Sequence, residues 1–256
     1  MTLESHRFDD SQTAAAALAG AIAADLSDRL QSQARALLLV SGGRSPITLL
    51  LALAQKALPW DRIDVSLVDE RSVAPNSEAA NAMLVQENLL TGGVRAARWI
   101  ALMPPGVFEG ASDPMDAALR AATRACNDPA LANPAVIVLG VGTDGHTASL
   151  FADSPQWEQA RTTCDRYVAL QPGLAPHARV GLSLQALRSQ AKCYLWATGP
   201  EKSATLARLE QFCDAVRKNS AARPAEVMTQ LAQAGPVACL IDDPECLVEA
   251  YCSERE

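Results

Sequence analysis

Short apolar runs separated by stretches of helical spacing recur along most of the chain. The runs are ALLLV (36–40), IDVSLV (63–68), AVIVLG (135–140), YVAL (167–170), RVGLSL (179–184), CYLWAT (193–198) and VACLI (237–241). Brief, nearly continuous apolar segments of this kind predict strands buried on both faces. Between them, proline behind a capping residue predicts helix starts at Ser45-Pro46, Asp113-Pro114 and Arg223-Pro224. Leu18, Ile22, Leu26 and Leu30 fall at a four-residue spacing and predict an amphipathic helix capped by Asp10 or Ser11. The alternation is too regular for helices and strands to be segregated. It predicts an α/β fold: a mostly parallel, doubly wound sheet with helices on both faces. With no internal repeat, low-complexity tract or long linker, residues 1–256 are expected to form a single domain.

Composition narrows the function classes. Of 256 residues 49% are apolar, ample for a large core, and 22 Lys and Arg against 29 Asp and Glu give a formal charge of −7. No basic run interrupts this balance, so nucleic acid and anionic membrane are not expected partners. An anionic ligand has to be held locally, by a few cations and backbone N–H groups. The 7 cysteines form no C-x-x-C pair, which points to a reducing cytoplasm. His6, His146 and His177 are far apart in sequence, and no metal site is expected. The stretch AAAALAGAIAAD could pass for a signal-peptide core, but Asp9 and Asp10 precede it where a signal needs positive charge. No apolar run reaches the ~20 residues that a bilayer span requires. The oligomeric state is left open.

In a parallel sheet, ligands bind beyond the carboxyl ends of the strands. Four loops are therefore candidates: SGGRSP (41–46), DERSVAPNS (69–77), GVGTDGH (140–146) and GPEKS (199–203). In the first, Gly42 and Gly43 permit positive φ and let N–H groups face an anion at a helix start; a plain turn capped by Ser45 is the alternative. The third spells G-x-G-x-x-G, as a dinucleotide-binding turn does. Its context fails, because Pro155 cuts the helix that should follow and Asp165 precedes an apolar run where the fingerprint needs an acid after one. No nicotinamide cofactor is expected. His146 stands just beyond a strand end, two residues from Asp144, whose carboxylate can fix an imidazole tautomer. That setting favours catalysis over a structural histidine. Arg71, beside Asp69 and Glu70, is either a site cation or part of a solvated ion-pair cluster. Lys202 near a helix N-terminus opposes the dipole, which hints at an anion between them.

Taken together, SGGRSP, LVDERSVAPNSEAANAMLVQENLL, VLGVGTDGHTASLF, RVGLSL and ATGPEK, in this order, resemble the 6-phosphogluconolactonases over about residues 36–242. DGHTASLF is the most specific segment; S-G-G and D-E-R are shared with the related glucosamine-6-phosphate deaminases. The resemblance implies a modified Rossmann-like fold without a dinucleotide, and hydrolysis of 6-phosphoglucono-δ-lactone in the pentose phosphate pathway without a cofactor. It makes Asp144 and His146 the catalytic pair and Arg71 the D-E-R arginine. Ser41, Gly42, Gly43 and Ser45 become the phosphate-side loop, and Arg179 and Lys202 hold the 6-phosphate. Arg44 stands where the family has a small polar residue, and its contact with phosphate stays open. Ser72, Ala80 and Ala152 replace an aromatic residue, a serine and a proline of the family pattern. Two alternatives remain. A deaminase/isomerase carries a glutamate five residues after the histidine, where this chain has Phe151; Asp153 lies two residues further. A sugar-phosphate-sensing domain of a regulator would bring a helix-turn-helix, for which the 35 residues before ALLLV are too few.

Overall fold

The computed structural model describes residues 3–188, 191–218, 224–243, 246 and 248–256. In chain order its elements are β1 (Glu4–Asp10), α1 (Ser11–Ser32), β2 (Ala36–Val40), α2 (Ile47–Ala54), β3 (Ile63–Leu67), β4 (Asp69–Arg71) and α3 (Asn81–Asn88). There follow β5 (Arg98–Trp99), α4 (Pro114–Asn127), β6 (Val136–Gly140), α5 (Trp157–Thr162), β7 (Tyr167–Leu170), β8 (Arg179–Leu182) and α6 (Leu184–Leu187). The chain ends with β9 (Lys192–Thr198), α7 (Pro200–Lys218), α8 (Pro224–Ala234), α9 (Pro236–Ile241) and β10 (Val248–Arg255).

The main sheet has seven strands in the order β1-β10-β9-β6-β2-β3-β5. Every neighbouring pair is parallel, as the run-and-helix rhythm predicts. β2 and β3 are buried at every position, which explains the unbroken apolar sequence of β2 and the mostly apolar one of β3. Asp64 and Ser66 are the polar exceptions in β3: Arg35 and Arg98 pair with the Asp64 carboxylate, and Ser66 Oγ donates to the Ile100 carbonyl at 2.7 Å. The predicted stripe of α1 is the buried one, and Asp10 caps that helix by accepting the Thr13 N–H at 2.8 Å. Asp113 likewise caps α4, with Pro114 at its first position. Pro224 opens α8, and Arg223 lies outside the described residues.

Three expectations need correction, and two strands carry no sequence expectation at all. YVAL and RVGLSL do not join the main sheet. They form β7 and β8, which pair antiparallel with each other and with β4 in a second, three-stranded sheet. Periodicity reports burial, not partner, so it could not separate the two sheets. VACLI is helix α9, and all six of its residues are buried, so it lacks the amphipathic period that distinguishes a helix from a strand. β1 and β10, which form one edge of the main sheet, carry polar, partly buried patterns and no apolar run. Ser45 caps nothing: Pro46 occupies the cap position of α2, without a side-chain hydrogen bond.

Candidate active site

The strand order reverses between β2 and β6. From β2 the chain steps outward to β3 and β5, then returns across β2 to β6 and steps the other way. Loops leaving the two strands at such a point diverge and open a crevice. Here the divergence is stitched by Ser41, whose Oγ accepts the Gly140 N–H at 2.9 Å and whose own N–H donates to the Val138 carbonyl at 3.0 Å. Above the stitch is a cleft of about 260 Å³ lined by Ser41 to Ser45, Arg71, Asn81, His146, Thr147, Arg179 and Lys202, among others. Gly42 is required by close approach, since a Cβ there would lie 2.3 Å from the Asn81 side chain. Gly43 adopts φ +91° with open space above it. Ser45 faces Thr198, with 3.4 Å between the hydroxyls, and its carbonyl accepts the Trp196 indole N–H at 2.9 Å.

Beyond β6 the G-x-G-x-x-G run opens no helix. It closes a tight turn in which the Gly142 N–H donates to the His146 carbonyl at 2.9 Å and the Gly145 N–H to the Gly142 carbonyl at 3.0 Å. The Asp144 carboxylate lies 2.5 Å from His146 Nδ1 and also accepts the His146 N–H at 3.1 Å. An aspartate on Nδ1 selects the tautomer that leaves Nε2 as a lone-pair acceptor. Burial pushes the Asp144 carboxyl up, but its hydrogen bonds to His146 and the charge of the imidazolium outweigh this and hold it below the ordinary aspartate value. Gly142 makes room for the pair, because a Cβ there would lie 2.2 Å from Nδ1. Phe151 stacks on the imidazole, with 4.1 Å between ring centroids, and the Arg179 guanidinium lies 5.4 Å from the Phe151 ring centroid.

β4 supplies the facing wall. Asp69 and Arg71 both line the cleft, as alternate residues of a strand should. Asp69 accepts the Ser149 hydroxyl at 2.5 Å and lies 4.0 Å from Arg179 on the paired strand β8. Burial lowers the pKa of Arg179, and the Asp69 carboxylate opposes that shift. Arg71 donates through Nη1 to the Ala79 carbonyl at 2.7 Å, which leaves the rest of its fork for other partners. Lys202 enters from the first turn of α7, where burial pushes its pKa down and Glu256 pulls it back. With Arg44 it also lines an adjoining recess of about 550 Å³.

The cleft thus gathers every residue singled out from the sequence except Asp144, which stands behind His146. Sequence reasoning missed Thr147, Asn81 and Ser149. Thr147 Oγ1 and Asn81 Oδ1 are buried without a protein partner among the described residues, so the cleft has hydrogen-bonding capacity left for a hydroxylated ligand. Ser149 follows Ala148 in a second consecutive left-handed conformation, φ 48° and then 59°, and no local signal in T-A-S marks such a turn. Among the described residues no group of three His, Cys, Asp or Glu is placed to hold a metal, no helix is long and apolar enough to cross a membrane, and all 7 cysteines are free thiols.

The sequence and the fold both have counterparts. Residues 9–235 match the family model for glucosamine-6-phosphate isomerases/6-phosphogluconolactonase. A 6-phosphogluconolactonase of Neisseria meningitidis serogroup A is 37% identical over 208 residues, which is 80% of this chain and 87% of that protein. One from Pseudomonas aeruginosa is 40% identical over 193 residues, 74% of this chain and 77% of that one. The crystal structure of a 6-phosphogluconolactonase from Shewanella baltica superposes with a TM-score of 0.82 at 29% identity, covering 98% of this chain and 97% of that one.

Proposed function

The chain belongs to the glucosamine-6-phosphate isomerase/6-phosphogluconolactonase family, and from that premise we propose that it hydrolyses 6-phosphoglucono-δ-lactone to 6-phosphogluconate, with His146 as general base. Its relatives at 37% and 40% identity are lactonases over most of their length, which supports the reaction class. The observation that carries the catalytic assignment is the Asp144–His146 pair at 2.5 Å through Nδ1, with His146 lining a cleft that also holds Arg71, Arg179 and Lys202.

A δ-lactone is an activated ester, and its opening needs little machinery. His146 Nε2 takes a proton from water as the oxygen attacks the lactone carbonyl. Arg71 and the N–H groups of the glycine loops stabilise the tetrahedral oxyanion. As the intermediate collapses, the ring C–O bond breaks and the imidazolium returns its proton to the departing oxygen. General base catalysis of this kind contributes about 10² to 10⁴ in rate. Arg179 and Lys202 hold the 6-phosphate together with the loop Ser41, Gly42, Gly43, Ser45, and Arg44 approaches from the adjoining recess. No step calls for a metal or a nicotinamide. The free thiols agree with a cytoplasmic setting.

The deaminase alternative needs a carboxylate five residues past the histidine. Phe151 stands there and stacks on the imidazole; Asp153 is engaged elsewhere, accepting the Leu174 N–H at 3.1 Å. Purified protein should accelerate acid release from 6-phosphoglucono-δ-lactone far above the buffer rate, and release no ammonia from glucosamine 6-phosphate. Ammonia release at about 1 s⁻¹ or faster, with lactone opening at the background rate, would reverse the choice.

A further inference from the structure

Glu70 is the one member of the D-E-R segment that does not line the cleft. Strand alternation turns it to the back of β4, where it is 2% exposed. Its carboxylate is fully engaged there. Oε1 accepts the N–H groups of Arg71 and Asn81, each at 2.7 Å, and Oε2 accepts that of Ala82 at 2.7 Å. Asn81 and Ala82 open α3, whose cap residue is Ala80, extended at φ −75° and ψ 129° and without a side chain able to accept a bond. A helix start leaves N–H donors unsatisfied and favours a negative charge beside them. For α3 both needs are met from another strand, by Glu70.

The same bonds decide where two cleft residues sit. Arg71 and Asn81 are the ends of the excursion between β4 and α3, and Glu70 grips the backbone at both ends. Arg71 closes the excursion from within by donating to Ala79, and the Asn81 amide donates to the Asp69 carbonyl at 2.9 Å. The Asn81 side chain in turn fills the space above Gly42 in the phosphate-side loop. We infer that Glu70 is a positioning residue of the active site, its carboxylate acting as a remote cap that fixes Arg71 and Asn81 against the cleft.

This inference rests on the lactonase reading, and it concerns the ionised carboxylate. Burial pushes Glu70 up to about 7, against the pull of its three N–H bonds and with a further push from the Asp69 charge. Protonation would put a hydroxyl against one of those donors. The charged groups that act on it are Asp69 on its own strand and Arg179 on the paired strand β8; Arg71 and α3 present backbone N–H groups.

The test uses the full chain with Glu70→Gln and with the double variant Glu70→Gln/Ala80→Ser. Glutamine keeps one acceptor oxygen and turns an NH2 group against a backbone donor; serine at the cap position offers α3 a local acceptor. Glu70→Gln should lower kcat about tenfold, the scale of a lost hydrogen bond to a charged group, and KM should change less. Hydrogen exchange at the Asn81 and Ala82 amides should quicken. The acid limb of its pH profile should lose one ionisation near pH 7. The double variant should regain amide protection and most of kcat. Wild-type kcat in Glu70→Gln, or unchanged exchange at Asn81 and Ala82, overturns the inference; if the single variant does not fold, the double variant at wild-type kcat with an unaltered acid limb overturns it. Should the wild-type protein open the lactone no faster than buffer, the lactonase reading fails by itself. Exchange and calorimetric binding of 6-phosphogluconate then decide the role of Glu70, and values unchanged by Glu70→Gln overturn it.

Discussion

Two walls of the same cleft are built with a different balance of local and remote bonds. The turn after β6, residues 140–146, is held mainly by bonds among its own members, Gly142 to His146, Gly145 to Gly142 and Asp144 to His146, and is tied outward from Gly140 to Ser41, from Thr143 to Thr205 and from Gly145 to Val237. The wall on β4 is held from a distance. Asp69 is fixed by Ser149, Glu70 by the start of α3, Arg71 by Ala79, and Ser72 Oγ donates to the Pro114 carbonyl at 2.6 Å. Short-range bonds within a turn can place one side chain with high precision. A wall tied to several elements couples the position of its residues to the fold around them.

The largest effect should come from breaking the turn at its chemical point. His146→Ala is expected to lower kcat by about 10² or more while KM stays within a few fold, checked by steady-state lactone hydrolysis. Gly142→Ala attacks the same turn sterically. The new methyl would lie 2.2 Å from Nδ1, so the imidazole must leave its aspartate, and a misplacement of this size costs up to about 10² in kcat. The comparison is sharpened if its melting temperature falls little, since the damage should stay inside the turn.

The cations that β8 and α7 bring to the cleft, Arg179 and Lys202, should respond in binding rather than turnover. Arg179→Met or Lys202→Met is expected to raise KM for the phosphorylated lactone by about ten- to a hundredfold, the scale of a charge-assisted contact, with little change for unphosphorylated gluconolactone. Equal effects on both substrates would remove these cations from phosphate binding. The smallest effect is on stability. Because the folded pKa of Glu70, about 7, lies above its ordinary 4.5, the folded state holds that proton more tightly. The stability contributed by Glu70 is therefore full below pH 4.5 and is lost as pH rises to about 7. Urea midpoints of wild type relative to Glu70→Gln should fall across that window, and a flat difference would show that the burial is not felt.

What could be read from the sequence follows the same division. Asp144, His146 and the glycines around them are close in the chain, so their spacing already carried the geometry, and the loops after β2, β6 and β9 followed from strand ends alone. The β4 wall is made by contacts remote in sequence. Nothing in D-E-R tells that Asp69 and Arg71 line the cleft while Glu70 accepts the N–H groups at the start of α3, or that Ser149 will reach Asp69. The same limit hid the second sheet, whose strands look like main-sheet strands until their partners are known. α9 escaped for a different reason: a short helix buried all round has no polar face to betray its period.

The pairing of β1 with β10 bears on how the molecule is assembled. Among the described residues β1 sits at the sheet edge and pairs with β10, in a register that matches Glu4 to Glu249 and Asp10 to Arg255. β1 is therefore made long before its partner β10, and closing so long a loop is the most entropically costly pairing in the sheet. The strands and helix that carry the cleft, β2, β4, β6, β8 and α7, all emerge before that partner does. Folding is thus expected to complete the catalytic rim first and to seal the edge last, with an unpaired strand exposed to other nascent chains in the interval.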